Sequence, residues 1–145
     1  MQESKLFAWL AYLGTIPFIV GAILISLGHP SFFVINDPVS FVSSYGLIIV
    51  VFMSGIHWGQ YISVEVSHLI NLLISSNIIT LLTWFAYLFA SVQVALISYC
   101  LSFFVLLLID AKLKSVAVIT ANYFRTRLIV TTIVIISLVI SLVNL

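Results

Sequence analysis

A single histidine lies inside a long uncharged stretch of the sequence, among other polar residues. Ser54, His57 and Tyr61 are spaced three and four residues apart, and Trp58 follows the histidine. On a helix this spacing places the first three on one stripe. An ionisable group within an apolar span is a candidate for function, because its burial is costly without a partner. Three interpretations stay open: an imidazole that joins helices, a site for binding or proton transfer, and a metal or haem ligand.

Charged residues at the ends of later stretches form a second candidate feature. Asp110 ends one apolar stretch, and Arg125 and Arg127 begin the next. Residues two apart on a helix point about 200° from each other, so at most one arginine can readily face the bundle. We expect an ion pair between Asp110 and an arginine. The alternative is a pocket in which Arg127 and His57 receive an anionic group, since guanidinium recognises phosphate and carboxylate.

The third predicted span carries further polar residues on one face, among them Asn77, which either join helices or line a cavity. The candidate ligand-binding residues are therefore Ser54, His57, Trp58, Tyr61, Asn77, Asp110 and Arg127. We predict no catalytic residues, metal or cofactor, because no second histidine lies within a span and no nucleophile–base spacing or phosphate loop is present.

The glycines are candidates for helix packing. Gly55 and Gly59 form a small-xxx-small pair, which lets another helix backbone approach closely. In the first span Gly14 and Gly21 are seven residues apart, with Pro17 between them. We predict a packing seam there, and a kink at the proline.

The composition requires these residues to be carried by helices in a membrane. Of the 145 residues, 63% are hydrophobic and 6% are charged, whereas soluble domains draw roughly a quarter of their residues from charged types. Such a chain is not a nucleic-acid-binding protein, a disulfide-stabilised secreted module or a cytosolic enzyme. The apolar stretches lack the two-residue alternation of an outer-membrane barrel. The predicted fold is therefore all-α, a bundle of transmembrane helices.

The charged residues divide the chain into five predicted spans within one transmembrane domain, 1–145. A bilayer core about 30 Å thick needs roughly 20 helical residues, so the long uncharged stretch after Glu65 suits two spans joined by a turn. The predicted spans are 6–27, 38–63, 69–90, 92–110 and 127–145. Gly28 is expected to close the first span, and Asp37 and Ser67 to cap the second and third. The segment 112–127 is expected to lie at the membrane interface.

The basic residues predict the orientation of the chain. With five spans, all five fall on one side of the membrane: Lys5, Lys112, Lys114, Arg125 and Arg127. Cytoplasmic loops are rich in Lys and Arg. We therefore expect a bacterial inner-membrane protein with a cytoplasmic N-terminus and the C-terminus on the opposite side.

The second span resembles a known family, the small five-helix bacterial integral membrane proteins of unknown function that are related to a mitochondrial transmembrane protein of animals. The most specific matching residues are Tyr45, Gly46, Phe52, Gly55, His57, Trp58 and Gly59. Supporting matches over most of the chain are Ile16, Pro17, Phe18, Trp84, Asp110, Tyr123, Arg127, Leu128 and Thr131 or Thr132. Ser54 stands where the family usually has a further glycine. The resemblance implies the fold and a membrane location, but no activity.

Three functions fit these residues, and we favour a non-enzymatic protein. Its cytoplasmic-side pocket, with His57, Asp110 and Arg127, would bind a lipid headgroup, a small anion or a membrane partner. Membrane lipids are the expected partners, with a membrane protein or a second copy as alternatives and no nucleic acid. A small transporter or channel would use the polar faces of the second and third spans. An enzyme acting on lipids would use Glu65 and His68 with the same charged residues.

Overall fold

In the computed structural model, residues 2–28, 35–63 and 71–145 are described. This part of the chain forms α1 (Gln2–Leu13), α2 (Ile16–Ser26), α3 (Pro38–Ser63), α4 (Leu72–Phe89), α5 (Val92–Ser115) and α6 (Ala121–Val143). Helices α1 and α2 together make one span, Leu6–Ser26, and each of the other four is long and apolar enough to cross a membrane. The protein is thus a multi-pass α-helical membrane protein with five spans, which confirms the predicted fold class.

The first span is broken at Gly14 and Thr15, between α1 and α2 and shortly before Pro17. Proline has no N–H and crowds the preceding turn, and it occupies the second position of α2. The break leaves Gly14 accessible to α3, where the hydroxyl of Tyr45 donates to the Gly14 carbonyl at 3.0 Å. At the other end of α2, Gly28 has a φ of +64°, a left-handed conformation that commonly ends helices.

The N-termini of the later spans are capped by polar side chains. Asp37 Oδ1 accepts from the N–H of Val39 at 3.0 Å, as its position before Pro38 predicts. Asn71 caps α4 by accepting from Ile74 N at 3.2 Å. The expected cap at Ser67 lies outside the described residues.

The connection between α5 and α6 is shorter than the interfacial segment that the sequence suggests. Helix α5 continues to Ser115, and α6 begins at Ala121. Ala117 has a φ of +59°, and the N–H of Val118 donates to the Leu113 carbonyl at 2.9 Å, which is a Schellman ending. Lysines favour the last turn of a helix, where the carbonyl dipoles are exposed. For this reason Lys112 and Lys114 extend α5 instead of ending it.

The core lies where α3 and α5 pack between the other helices. A methyl group added at Gly46 of α3 would lie 2.6 Å from the ring of Tyr99 on α5, and one added at Gly21 of α2 would overlap Val42 of α3. These two glycines therefore allow the close helix contacts. Fully buried apolar residues of the core include Phe18, Val42, Val50, Leu96, Tyr99, Phe103, Leu106 and Leu138.

Candidate functional site

The candidate site lies near one end of the bundle, which we call the basic end because Lys112, Lys114 and Arg125 lie there. Helices α1 and α6 begin at this end, and α3 and α5 finish there. The ring of Phe7 in α1 stacks on that of Tyr123 in α6, with 4.8 Å between centroids. The first and last spans therefore meet within about two helical turns of the basic end.

Three ionisable side chains meet inside the bundle and form what we call the ion cluster: His57, Asp110 and Arg127. His57 Nε2 lies 2.9 Å from Asp110 Oδ1, and Arg127 Nε lies 2.8 Å from Asp110 Oδ2. His57 and Asp110 are 1% exposed and Arg127 is 5% exposed. The cluster thus joins α3, α5 and α6 through both oxygens of one carboxylate.

The cluster follows from the rule that a buried charge needs a partner. Arg127 stands in the second turn of α6 and faces α5, whereas Arg125 is exposed. The predicted ion pair with Asp110 is therefore present, with one arginine facing inward. We assign the shared hydrogen to His57 Nε2, because a carboxylate only accepts. A neutral imidazole leaves Asp110 and Arg127 with balanced charges.

Arg127 has a further neighbour that the sequence did not suggest. Its Nη1 donates to the thioether sulfur of Met53, which lies one turn before His57 on α3. Thioether sulfur is a weak acceptor, and a methionine in an apolar span gives no sequence signal beyond hydrophobicity. Met53 contributes to the site because it holds the guanidinium against α3.

An apolar cavity of about 120 Å³ lies beside the guanidinium, between α1, α2, α3, α5 and α6. Its lining consists of Phe7, Leu10, Ala11, Gly14, Phe18, Ile49, Phe52, Met53, Phe103, Arg127, Val130, Thr131 and Val134. Leu10 and Phe52 are both mostly exposed on the outer surface of the bundle, so the cavity reaches the lipid-facing side between α1 and α3. His57 and Asp110 are not part of this lining.

Thr131, one of the residues that line the cavity, carries an unsatisfied polar group. It lies one turn after Arg127 on α6 and is 1% exposed, yet its hydroxyl has no hydrogen-bond partner in the described structure. Thr132 is exposed, and its hydroxyl donates to the Leu128 carbonyl at 2.8 Å. The four-residue spacing from Arg127 places both residues on one face of α6, but nothing in the sequence marks that face as the wall of a cavity.

Of the other candidate ligand-binding residues, Ser54 lies next to the ion cluster, whereas the remaining three do not. Trp58 and Tyr61 are exposed. Asn77 is also exposed, and its amide donates to the Leu73 carbonyl of its own helix at 2.8 Å. Ser54 is buried beside the cluster's histidine on α3. Ligand-binding roles for Trp58, Tyr61 and Asn77 stay predictions, as does transport along the polar faces of α3 and α4.

The four predicted packing glycines occupy different surroundings. Gly21 and Gly14 contact α3, through Val42 and the Tyr45 hydroxyl respectively. A methyl group added at Gly55 or Gly59 would meet no atom within 4 Å in the described part of the chain. Packing at Gly55 and Gly59 therefore stays a prediction.

The residues of the enzymatic alternative are only partly placed. Glu65 and His68 lie outside the described residues. In residues 2–28, 35–63 and 71–145, no three His, Cys, Asp or Glu side chains come together in a group that could hold a metal ion.

The fold and the site define a multi-pass helical membrane protein with a buried ion cluster beside a laterally placed apolar cavity. The chain belongs to the family described as "Protein of unknown function (DUF3429)", whose model matches residues 4–143. The comparisons found no matching curated protein and no matching solved structure. The expected bacterial origin and the relation to a mitochondrial protein stay predictions.

Proposed function

We propose that this protein is a non-enzymatic binding protein that holds the end of an amphiphilic membrane molecule in the cavity beside Arg127. The ligand would present an uncharged polar group, such as a carbonyl oxygen, to Thr131 and Arg127. The observation that carries the proposal is Thr131, which lines the mostly apolar cavity and whose buried hydroxyl has no hydrogen-bond partner in the described structure.

An unpaired buried hydroxyl is unfavourable, and native structures contain few of them. Here a ligand oxygen could accept from Thr131 while the ligand's apolar part contacts the remaining lining. The volume of about 120 Å³ compares with an engineered apolar cavity of about 150 Å³ that binds benzene. A small ring or a few methylene groups would fit, and the rest of the molecule would extend between Leu10 and Phe52 into the bilayer.

The charge balance favours an uncharged group over the small anion that the sequence also suggested. Asp110 already neutralises Arg127 at 2.8 Å. An incoming anion would have to compete with this carboxylate in a low-dielectric site, where like charges repel strongly. A carbonyl oxygen accepts hydrogen bonds without disturbing the ion pair. In this arrangement His57 and Asp110 are positioning residues that hold the guanidinium in place.

The orientation of the chain belongs to the same proposal. Lys112, Lys114 and Arg125 support a cytoplasmic basic end in a bacterial inner membrane. The ligand would then bind in the cytoplasmic half of the bilayer, with membrane lipids as the surrounding partners. Accessibility labelling of tags on both termini tests this, and finding both tags in one compartment would contradict it.

The binding proposal is tested by an untargeted mass-spectrometric inventory of molecules that co-purify with the protein. Thr131→Val removes the hydroxyl and keeps the shape, and Thr132→Val is the matched control. We expect one class of neutral, carbonyl-bearing amphiphile to be enriched with wild type and Thr132→Val. Loss of one hydrogen bond worth about 1 kcal/mol predicts roughly fivefold less with Thr131→Val. The binding proposal would be overturned if Thr131→Val recovered as much of the molecule as wild type. It would also be overturned by no enrichment over an unrelated membrane protein, or by enrichment of an anion.

A further inference from the structure

Helix α3 carries a line of buried polar atoms that the cavity does not explain. Ser54 Oγ, His57 Nδ1 and Gln60 Oε1 are all buried and have no hydrogen-bond partner in the described structure. They follow one another at three-residue steps, so they span about 9 Å along one side of α3. The line begins in the apolar interior at Ser54 and continues through the ion cluster toward the basic end, where α3 finishes at Ser63.

These three atoms cannot satisfy one another. His57 Nε2 donates to Asp110, so Nδ1 of the neutral ring can only accept, and Gln60 Oε1 also only accepts. The Ser54 hydroxyl has a single hydrogen. Two acceptors and one hydroxyl therefore require a further donor, and water, with two hydrogens, is the smallest molecule that provides it.

In the described part of the chain, the charged and titratable groups around His57 come from two other helices. Helix α5 contributes Asp110, and α6 contributes Arg127 together with Tyr123, which interacts electrostatically with both. Helix α2 contains no titratable residue, and the described part of α4 contains only Tyr87, at its opposite end. His57 is therefore the group through which the cluster can change its charge without breaking the contact between Asp110 and Arg127.

We propose that water reaches the Ser54–His57–Gln60 line from the basic end and exchanges protons with His57, so that the ion cluster binds and releases a proton. A protonated water gives its proton to Nδ1, and no other bond changes. The cluster then passes from balanced charge to one net positive charge, and the reverse step returns the proton to water. This inference does not depend on the proposed ligand, because Ser54, His57 and Gln60 are not among the residues that line the cavity.

The first test measures contact between water and His57 in the full-length protein in lipid nanodiscs. Magnetisation transfer from water to the ¹⁵N-labelled imidazole reports hydration, and His57→Gln identifies its signal among the three histidines. We expect a direct water contact, and a reversible change from the Nε2–H pattern to the doubly protonated pattern as the buffer is acidified. The proposal would be overturned if no magnetisation transfer from water to the His57 ring is observed, or if the ring keeps the Nε2–H pattern until the protein unfolds.

The second test removes the polar side chains of the line on either side of His57. In Ser54→Ala/Gln60→Leu, exchange of the ring hydrogens with water should slow by at least about tenfold. The control pair Ser76→Ala/Asn77→Leu removes the same types of group from α4, where both are bonded to the Leu73 carbonyl, and should exchange at the wild-type rate. An unchanged rate in the first pair would contradict the proposal. If that pair does not fold, Ser54→Ala alone and the wild-type water contact decide the question.

Discussion

Arg127 Nε lies 2.8 Å from Asp110 Oδ2, although the two residues belong to different helices and are almost fully buried. Asp110 uses its other oxygen for His57, so a single carboxylate fixes a cation and an imidazole in the membrane interior. Arg127 lines the apolar cavity, and Nδ1 of the His57 imidazole belongs to the line of buried polar atoms on α3. The pair therefore connects the two parts of the molecule to which we assign roles.

Removing the carboxylate charge should strongly destabilise the protein. Asp110→Asn leaves Arg127 buried without a counter-charge, and breaking a buried pair in this way costs about 3–5 kcal/mol. We expect the free energy of unfolding, measured by denaturant titration in mixed micelles with circular dichroism, to fall by about that amount.

Two further variants complete that experiment. His57→Leu/Asp110→Leu/Arg127→Met replaces the whole cluster by apolar groups and should recover most of the loss, since no charge then remains buried. Arg125→Met removes an exposed arginine and should change the unfolding free energy by no more than about 0.5 kcal/mol. The prediction would be contradicted if Asp110→Asn had the wild-type free energy of unfolding, or if the triple variant were less stable than Asp110→Asn. Either result would show that the Asp110–Arg127 pair is not effectively desolvated.

Much of the fold could be predicted because a bilayer leaves few choices. Uninterrupted apolar stretches must be helices, and the scarce charges must be paired or lie at the ends. The ion pair between Asp110 and one arginine follows from the same reasoning. Thr131 and Met53 could not be identified as parts of a site, because a cavity arises from the packing of five helices and leaves no local pattern in the sequence.

The polar residues of α3 and α4 show what helical spacing leaves undetermined. The periodicity groups Ser54, His57 and Tyr61 on one stripe, yet the structure buries the first two and exposes Tyr61, which lies near the end of α3. Asn77 is a candidate for contacts between helices or with a ligand; its amide donates to the Leu73 carbonyl of its own helix, and a role in binding stays a prediction. Spacing defines a face, whereas the neighbouring helix decides how far that face is covered.

Gly46→Ala should destabilise the bundle, whereas Gly55→Ala should not. A methyl group at Gly46 would lie 2.6 Å from Tyr99, and overpacking of this kind costs about 1–3 kcal/mol. At Gly55 the same group meets no described atom of the chain, so alanine should be neutral, or stabilising by up to about 1 kcal/mol. Thermal unfolding in detergent compares the two. A loss at Gly55 would instead indicate packing against a second copy, which cross-linking would detect.

Tyr45→Phe should weaken the attachment of the broken first span to α3. The substitution removes the hydroxyl that donates to the Gly14 carbonyl at 3.0 Å and keeps the ring that packs edge-on against Phe18 at 5.1 Å. The lost hydrogen bond predicts a decrease of about 1 kcal/mol in unfolding stability. Hydrogen exchange should show faster opening around Gly14 but not in α4, and uniform exchange across both segments would contradict this assignment.

Acidification should weaken the start of α3 through Asp37. The hydroxyl of Ser40 and the N–H of Val39 donate to this carboxylate and hold its pKa below the ordinary value of 3.8. A carboxylate whose pKa is lowered by folding contributes stability above its unfolded pKa and loses it as the pH falls through the folded value. Amide protection in the first turn of α3, corrected for intrinsic exchange, should therefore fall below about pH 3.8. Asp37→Asn keeps a capping oxygen that does not titrate, so its protection should stay constant over the same range. An equal decline in both proteins would assign the effect to another group.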